Sequence, residues 1–260
     1  MKKVFIVLFL IFTFAFTGCY SQSNSQIGTS VNKPIPDHDV NFPELDENQK
    51  KKKYYAVSTT NSLRIRYDAN TSSIVVGYLD KNDAVLLLDE ENGFYKTIYK
   101  EKVAFVSKKY CTVMSIETGS EKEEKAISFG SKLLGYPYVW GSERYHWGNG
   151  KLNSNFVNGE FDCSSFVQYI YYKSNGTILD VTTRTQVKNG KEVSRNNLSR
   201  GDLMFFTNQS RQYLSGTERI GHVAIYLGNN YILHTATDHA VIEPISTQRW
   251  NYYITSRRVV

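Results

Sequence analysis

Proline and cysteine are scarce in this chain, with five of the first and three of the second among 260 residues. So little proline, alongside 22% charged and 41% hydrophobic residues, excludes collagen-like and low-complexity chains and leaves a folded protein of one large domain or two modest ones. Three cysteines exclude a disulfide-rich scaffold. A strong excess of one charge is also missing: 31 Lys and Arg stand against 25 Asp and Glu, a formal net charge of +6. The surplus is dispersed except for Lys50, Lys51, Lys52 and Lys53, which read as a solvated tether, so no nucleic-acid partner is expected. What is plentiful is aromatic, nineteen Tyr and fourteen Phe. Tyrosine, with an apolar body and a polar tip, suits ordinary sheet packing and shallow grooves for polar ligands alike.

The chain opens Met1-Lys2-Lys3, followed by an apolar run from Val4 to Phe16. That run is short for a bilayer span and has the basic start of a secretory signal. It ends in Phe16-Thr17-Gly18-Cys19, which resembles the lipobox of bacterial lipoproteins, where the cysteine is lipidated and becomes the new N-terminus. Phe16 stands where that pattern usually has Leu. The alternatives are a plain signal peptide or an uncleaved anchor, with Cys19 incidental. Loss of Met1 to Gly18 removes two lysines and no acid, lowering the net charge from +6 to +4. Residues 19–53 are rich in Ser, Asn, Gln and Asp, carry Pro34, Pro36 and Pro43, show no apolar period, and read as a spacer. The expectation is an exported protein, held by lipid on the outer face of a membrane.

From residue 54 to 116 the chain breaks into short β-like runs, among them Leu63-Arg64-Ile65-Arg66, Val76-Gly77-Tyr78-Leu79 and Ala104-Phe105-Val106-Ser107, separated by turns such as Asp80-Lys81-Asn82-Asp83. Close spacing without helical periods predicts a small antiparallel barrel. With Thr71-Ser72-Ser73 and Gly93-Phe94-Tyr95-Lys96, the order resembles the bacterial SH3-type domains of cell-wall proteins. Tyr67-Asp68-Ala69 replaces their usual Ser-Gly-Pro. Such modules bind wall peptides in some proteins and only wall an active site in others.

Residues 121–134 carry acids in the first turn and apolar residues at helical spacing, and stop at Gly135. A second helix is predicted to begin near Cys163, since Phe166, Val167, Ile170 and Tyr171 repeat at three and four. Asp162 is its candidate N-cap, so Cys163 falls in the first turn, where free N–H groups and the helix dipole favour a thiolate. A polar Asp-Cys-Ser-Ser run is a poor core element, which favours a nucleophile over a structural cysteine. Cys111, in an apparent strand, reads instead as a small buried hydrophobe. A nucleophilic cysteine needs a base. His38 lies in the spacer, and His146 reads as an exposed loop residue. His222 and His234 lie on two strands joined by Gly228-Asn229-Asn230. They share a face only if paired positions sum to an even number, as with 224 opposite 234; a two-residue loop would put them on opposite faces.

Phe161-Asp162-Cys163-Ser164-Ser165-Phe166-Val167, Gly201-Asp202-Leu203-Met204-Phe205-Phe206, Gly221-His222-Val223-Ala224-Ile225-Tyr226-Leu227-Gly228 and Ile232-Leu233-His234 resemble, in order and spacing, the NlpC-type cell-wall cysteine peptidases. The resemblance covers residues 121–260 and implies a papain-like α+β catalytic domain, a helix bearing Cys packed on an antiparallel sheet, after the SH3-like barrel. It implies Cys163 as nucleophile, His222 as general base and acid, and His234 as the residue orienting His222, with no metal or cofactor. Asp162 and Ser164 match positions lining the family's substrate pocket, and Tyr138 and Trp140 lie in its Tyr-x-Trp-Gly stretch. Ser165 replaces a usual Gly. The implied substrate is the stem peptide of peptidoglycan, cut between γ-D-glutamate and a diamino acid by a monomeric endopeptidase. Relatives with an SH3-like domain often require a free L-alanyl amine, which Asp162 and Tyr67 would hold here. An amidase or acyltransferase with the same residues, or an idle wall-binding protein, are the competing readings. Thr183-Arg184-Thr185-Gln186 matches a family stretch only partly and is left outside the site.

Overall fold

The computed structural model describes residues 51–235 and 238–260. The expected signal peptide, Cys19, His38 and the spacer up to Lys50 lie outside these residues, as does Ala236 beyond His234.

The first part of the described chain is all β. Strands β1 (Lys52–Ser58), β4 (Ala84–Leu86) and β8 (Cys111–Glu117) form one antiparallel sheet in the order β4-β1-β8. Strands β2 (Leu63–Arg66), β3 (Val75–Leu79), β5 (Asp89–Glu91), β6 (Phe94–Tyr99) and β7 (Lys102–Ser107) form another, ordered β3-β2-β7-β6-β5. β1 starts at Lys52, ahead of Tyr54, in a stretch that composition assigns to the spacer. Its two lysines are accommodated at the strand end, where Lys52 faces Glu117 and Lys53 faces Ile116. Cys111 is half-buried, and burial pushes its thiol up to about 12.

The second part is α+β. Helix α1 (Glu121–Lys132) begins at a capping box: Glu123 N–H donates to Ser120 Oγ, and Ser120 N–H donates to the Glu123 carboxylate. The chain leaves it through Gly135 at φ +85. A side chain there would meet more than an unfavourable φ, because the Tyr99 ring fills the space a Cβ would need. Helix α2 (Cys163–Asn175) buries Phe166, Val167, Ile170 and Tyr171 against a six-stranded antiparallel sheet. Its strands are β9 (Lys191–Val193), β10 (Leu203–Phe206), β11 (His222–Gly228), β12 (Tyr231–Thr235), β13 (Ala240–Pro244) and β14 (Tyr253–Arg258), ordered β13-β12-β11-β10-β14-β9. Short helices α3 (Thr183–Gln186) and α4 (Thr247–Asn251) flank it.

Much of the tyrosine surplus is packing. Tyr145, Phe156 and Tyr169 form a mutual ring cluster with centroids 5.0–5.1 Å apart, anchoring the polar loop before α2 on that helix. Arg200, nearly buried, ties the two parts together. Its Nη2 donates to Tyr55 Oη on β1 at 2.8 Å, its Nη1 to the Leu227 carbonyl on β11, and its guanidinium pairs with Glu124 on α1.

Candidate active site

The site is built from the start of α2 and the middle of the sheet. Asp162 has extended backbone geometry and caps the helix: its Oδ1 accepts from Ser165 N–H at 2.8 Å while Ser165 Oγ accepts from Asp162 N–H at 2.9 Å. Ser165, where the family pattern has Gly, is therefore a working member of the cap, and its hydroxyl also bonds Ser142 at 2.8 Å.

Cys163 follows in the first turn and is only 7% exposed. The N–H groups of Val223 and Ser164 hydrogen-bond to its sulfur and favour the thiolate. Burial, aided by the neighbouring Asp162 carboxylate, outweighs them and pushes the thiol up to about 12. Burial and the capping carboxylate thus oppose the thiolate that the N–H groups at the start of α2 favour.

The hydrogen bond from Val223 seats the sulfur beside β11, one residue from His222. The hairpin that follows solves the parity problem unexpectedly. Asn229 and Asn230 form a two-residue turn with φ +48 and +65, and Gly228 faces Tyr231, a register that would part the two histidines. A bulge between Tyr226 and Gly228 inserts one unpaired residue, so that Tyr226 faces Ile232 and Ile225 faces Leu233. Sums become even and the histidines share a face. His222 Nε2 lies 2.8 Å from His234 Nδ1, and His234 Nε2 lies 2.9 Å from Glu243 Oε1.

This chain assigns the tautomers. A carboxylate only accepts, so His234 donates from Nε2 and offers a lone pair at Nδ1; His222 then donates from Nε2 and keeps its own Nδ1 as the free base. Burial, together with the charges of His234 and Arg249, drives His222 well below the ordinary histidine value. Burial likewise lowers His234, against the opposing Glu243 hydrogen bond. Both rings are neutral near pH 7. Burial alone would raise Glu243, but His234 and Arg249, whose Nη2 is 3.1 Å from Oε1, hold its carboxyl below the usual range. Sequence reasoning missed Glu243. The available signal was parity once more, since Glu243 faces Ile232 across β12 and β13 and therefore shares the His234 face.

Two cavities meet here. One of about 460 Å³ holds Cys163, Asp162, Ser164 and Trp140; the other, about 420 Å³, holds His222, Thr235 and Arg249. Tyr138, Asn208 and Gly221 line both. Burial, with the nearby Cys163 and Asp162, pushes the Tyr138 phenol up to about 12. Trp140 is 86% exposed at the rim. Thr235 Oγ1, buried in the wall of the second cavity, has no hydrogen-bond partner among the described residues. Tyr67 sits in the turn between β2 and β3, its N–H bonded to the Ile74 carbonyl, and is not among the residues lining either cavity. Thr183 and Arg184 do line the first, and Gln186 Nε2 donates to the Ser164 carbonyl at 2.9 Å, so the stretch left aside on sequence grounds is part of the wall. His146 is fully buried rather than exposed: Gly148 N–H donates to its Nδ1, and its ring packs 4.7 Å from Tyr172.

Among the described residues no group of three or more His, Cys, Asp or Glu is arranged to hold a metal ion, and no helix is long and apolar enough to cross a membrane.

Residues 135–259 match the NlpC/P60 family. The chain is 32% identical over 146 residues to the peptidoglycan DL-endopeptidase CwlO of Bacillus licheniformis, covering 55% of this chain and 29% of that protein. It is 32% identical over 160 residues to a gamma-D-glutamyl-L-lysine dipeptidyl-peptidase of Bacillus subtilis, covering 60% and 46%. It is 31% identical over 165 residues to the murein DD-endopeptidase MepS/murein LD-carboxypeptidase of Escherichia coli K12, covering 62% and 80%. The chain spans less than half the length of the first two of these relatives.

Proposed function

Because the chain belongs to the NlpC/P60 family, we propose that it is a cysteine peptidase that hydrolyses peptidoglycan stem peptides, at the bond between γ-D-glutamate and the diamino acid. The observation that carries this reading is the relay from Glu243 through His234 to His222, ending in a free imidazole lone pair beside the helix that bears Cys163.

In this mechanism the resting pair is neutral. Cys163 Sγ attacks the scissile carbonyl carbon as its proton passes to His222 Nδ1, and the carbonyl electron pair moves to oxygen. The Cys163 backbone N–H is the candidate donor to that oxyanion. Collapse expels the amine of the diamino acid, which takes the proton from His222, and leaves a thioester. Water, deprotonated by His222, then attacks the thioester carbonyl, and the thiol leaves with the returned proton. The imidazolium formed at each stage is steadied by His234, whose Nε2–H remains on Glu243. Tyr138, shared by the two cavities, and Ser164, in the wall of the first, are the residues proposed to contact the peptide.

The β module of residues 52–117 is SH3-like and walls the catalytic domain of residues 121–260; residues 1–18 are a signal, Cys19 is the lipidated anchor, and residues 19–51 are the spacer. The enzyme acts outside the cytoplasm on the wall. Digestion of purified muropeptides followed by mass spectrometry is the test. The expected products are a fragment ending in D-glutamate and one beginning with the diamino acid, with Cys163→Ala releasing neither; unchanged release by Cys163→Ala would overturn the assignment.

A further inference from the structure

Asp162 occupies the position expected to grip a free amine, yet its carboxylate is already engaged. Oδ2 lies 2.9 Å from Arg144 Nη2, and Oδ1 accepts from Ser164 Oγ at 3.0 Å and Ser165 N–H at 2.8 Å. The Asp162 side chain is 9% exposed and that of Arg144 16%. Arg144 cannot swing aside without loss, because its Nε donates to the Val181 carbonyl and its Nη1 to the Ser142 carbonyl. An ammonium arriving at Asp162 would meet a fixed guanidinium and no open carboxylate edge. In so buried a place the like-charge repulsion is only weakly screened.

The remaining charges point the same way. Arg184 and Arg211 line the Cys163 cavity with Arg144, and among the described residues Asp162 is the one acid in its wall. Arg184 and Arg211 share a single carboxylate, Glu218, each at 3.5 Å, and Glu218 is 65% exposed. Such a solvent-exposed pairing holds weakly. A ligand carboxylate can replace it with charge-assisted, forked hydrogen bonds. A γ-linked glutamate supplies that carboxylate, since its backbone continues through the side-chain carbonyl and leaves the α-carboxylate free.

On the reading of the site given above, we propose that the cavity beside Cys163 selects stem peptides whose N-terminal amine is acylated and whose γ-linked D-glutamate keeps its α-carboxylate free. Arg144 is the specificity residue that turns Asp162 away from a free amine, and Arg184 and Arg211 receive the carboxylate. The enzyme is then an endopeptidase for stem peptides still joined to the wall, and discriminates against peptides already released with a free N-terminus.

The test uses matched tetrapeptides, L-alanyl-γ-D-glutamyl-diaminopimelyl-D-alanine with a free or an acetylated N-terminus, and the acetylated peptide with D-isoglutamine in place of D-glutamate. Hydrolysis by the full chain and calorimetric binding to its Cys163→Ala form are both measured. The acetylated acidic peptide should be favoured at least tenfold over each of the others in kcat/KM and in Kd. In Arg144→Gln the ratio of acetylated to free peptide should fall at least tenfold; as a ratio within one variant, it is insensitive to partial unfolding. In Arg184→Gln with Arg211→Gln the preference for D-glutamate should vanish. Equal or better use of the free-amine peptide by the native chain, or indifference to D-isoglutamine, would overturn the proposal while leaving the peptidase reading intact. Cleavage of none of the three, with no binding to the Cys163→Ala form, would overturn both.

Discussion

His222 Nε2 and His234 Nδ1 lie 2.8 Å apart because one unpaired residue interrupts β11. Without the bulge the two-residue Asn229-Asn230 turn would send the second imidazole to the opposite face of the sheet. With it, the pair joins Glu243 in a line of hydrogen bonds whose protons have a single consistent arrangement.

Glu243 should therefore matter without touching substrate. Glu243→Gln is expected to lower kcat about tenfold with KM little changed, and Glu243→Leu by about a hundredfold, because His234 is then free to turn or change tautomer. Steady-state kinetics on a muropeptide checks this, and a rise in KM at constant kcat would assign Glu243 to binding instead.

The resting thiol gives a second expectation. With Cys163 pushed up to about 12 by burial and Asp162, alkylation by iodoacetamide should be slow at neutral pH and keep climbing above pH 9. Asp162→Asn retains a side-chain cap and removes the charge, so it should accelerate alkylation several-fold at pH 8. A rate already at its plateau between pH 5 and 8 would mean a preformed thiolate.

Activity against pH follows from His222. Its folded value is well below the ordinary one, so the ring stays a neutral base as pH falls through 6.5. The acid limb of kcat/KM is expected below the ordinary histidine value of 6.5, and a limb above it would contradict the assignment.

Asp83 links pH to stability. Burial, opposed by the Asp80 N–H bond and reinforced by the Glu243 charge, raises its carboxyl to about 6. The folded state then binds more protons than the unfolded chain between pH 4 and 6, so this group's contribution falls as pH rises through that window. Asp83→Asn keeps an acceptor for Asp80 N–H and should raise Tm at pH 7 by about 2–4 °C, roughly 1 kcal/mol after allowance for solvent access, with no gain at pH 4. Thermal melts at the two pH values decide it.

Arg200 is the buried tie between Tyr55, Glu124 and Leu227. Arg200→Ala strands the Glu124 carboxylate and the Tyr55 hydroxyl and should cost about 3 kcal/mol. Arg200→Met with Glu124→Gln should recover part of it in denaturant titrations.

Local patterns in the sequence determined a good deal about this protein. Apolar residues at three and four placed both main helices, Asp162 announced the cap of α2, and alternation with turn residues marked β2, β6, β7, β11 and β12. Such signals are legible because capping and face periodicity act between residues a few positions apart. That Cys163, His222 and His234 form one site came instead from the resemblance to the NlpC-type peptidases, since Cys163 lies far along the chain from both histidines. Tertiary structure alone decided the charge states and the pairings. Arg144 comes from a loop eighteen residues before Asp162 and Glu243 from the strand beyond His234, while the bulge turns on how a turn of fixed twist meets a register that puts both histidines on one face. Burial, which raises Cys163 and lowers His222, depends on what the whole chain packs around them. The upward pull of burial on the Cys163 thiol, and an aspartate already claimed by an arginine, are consequences of that packing.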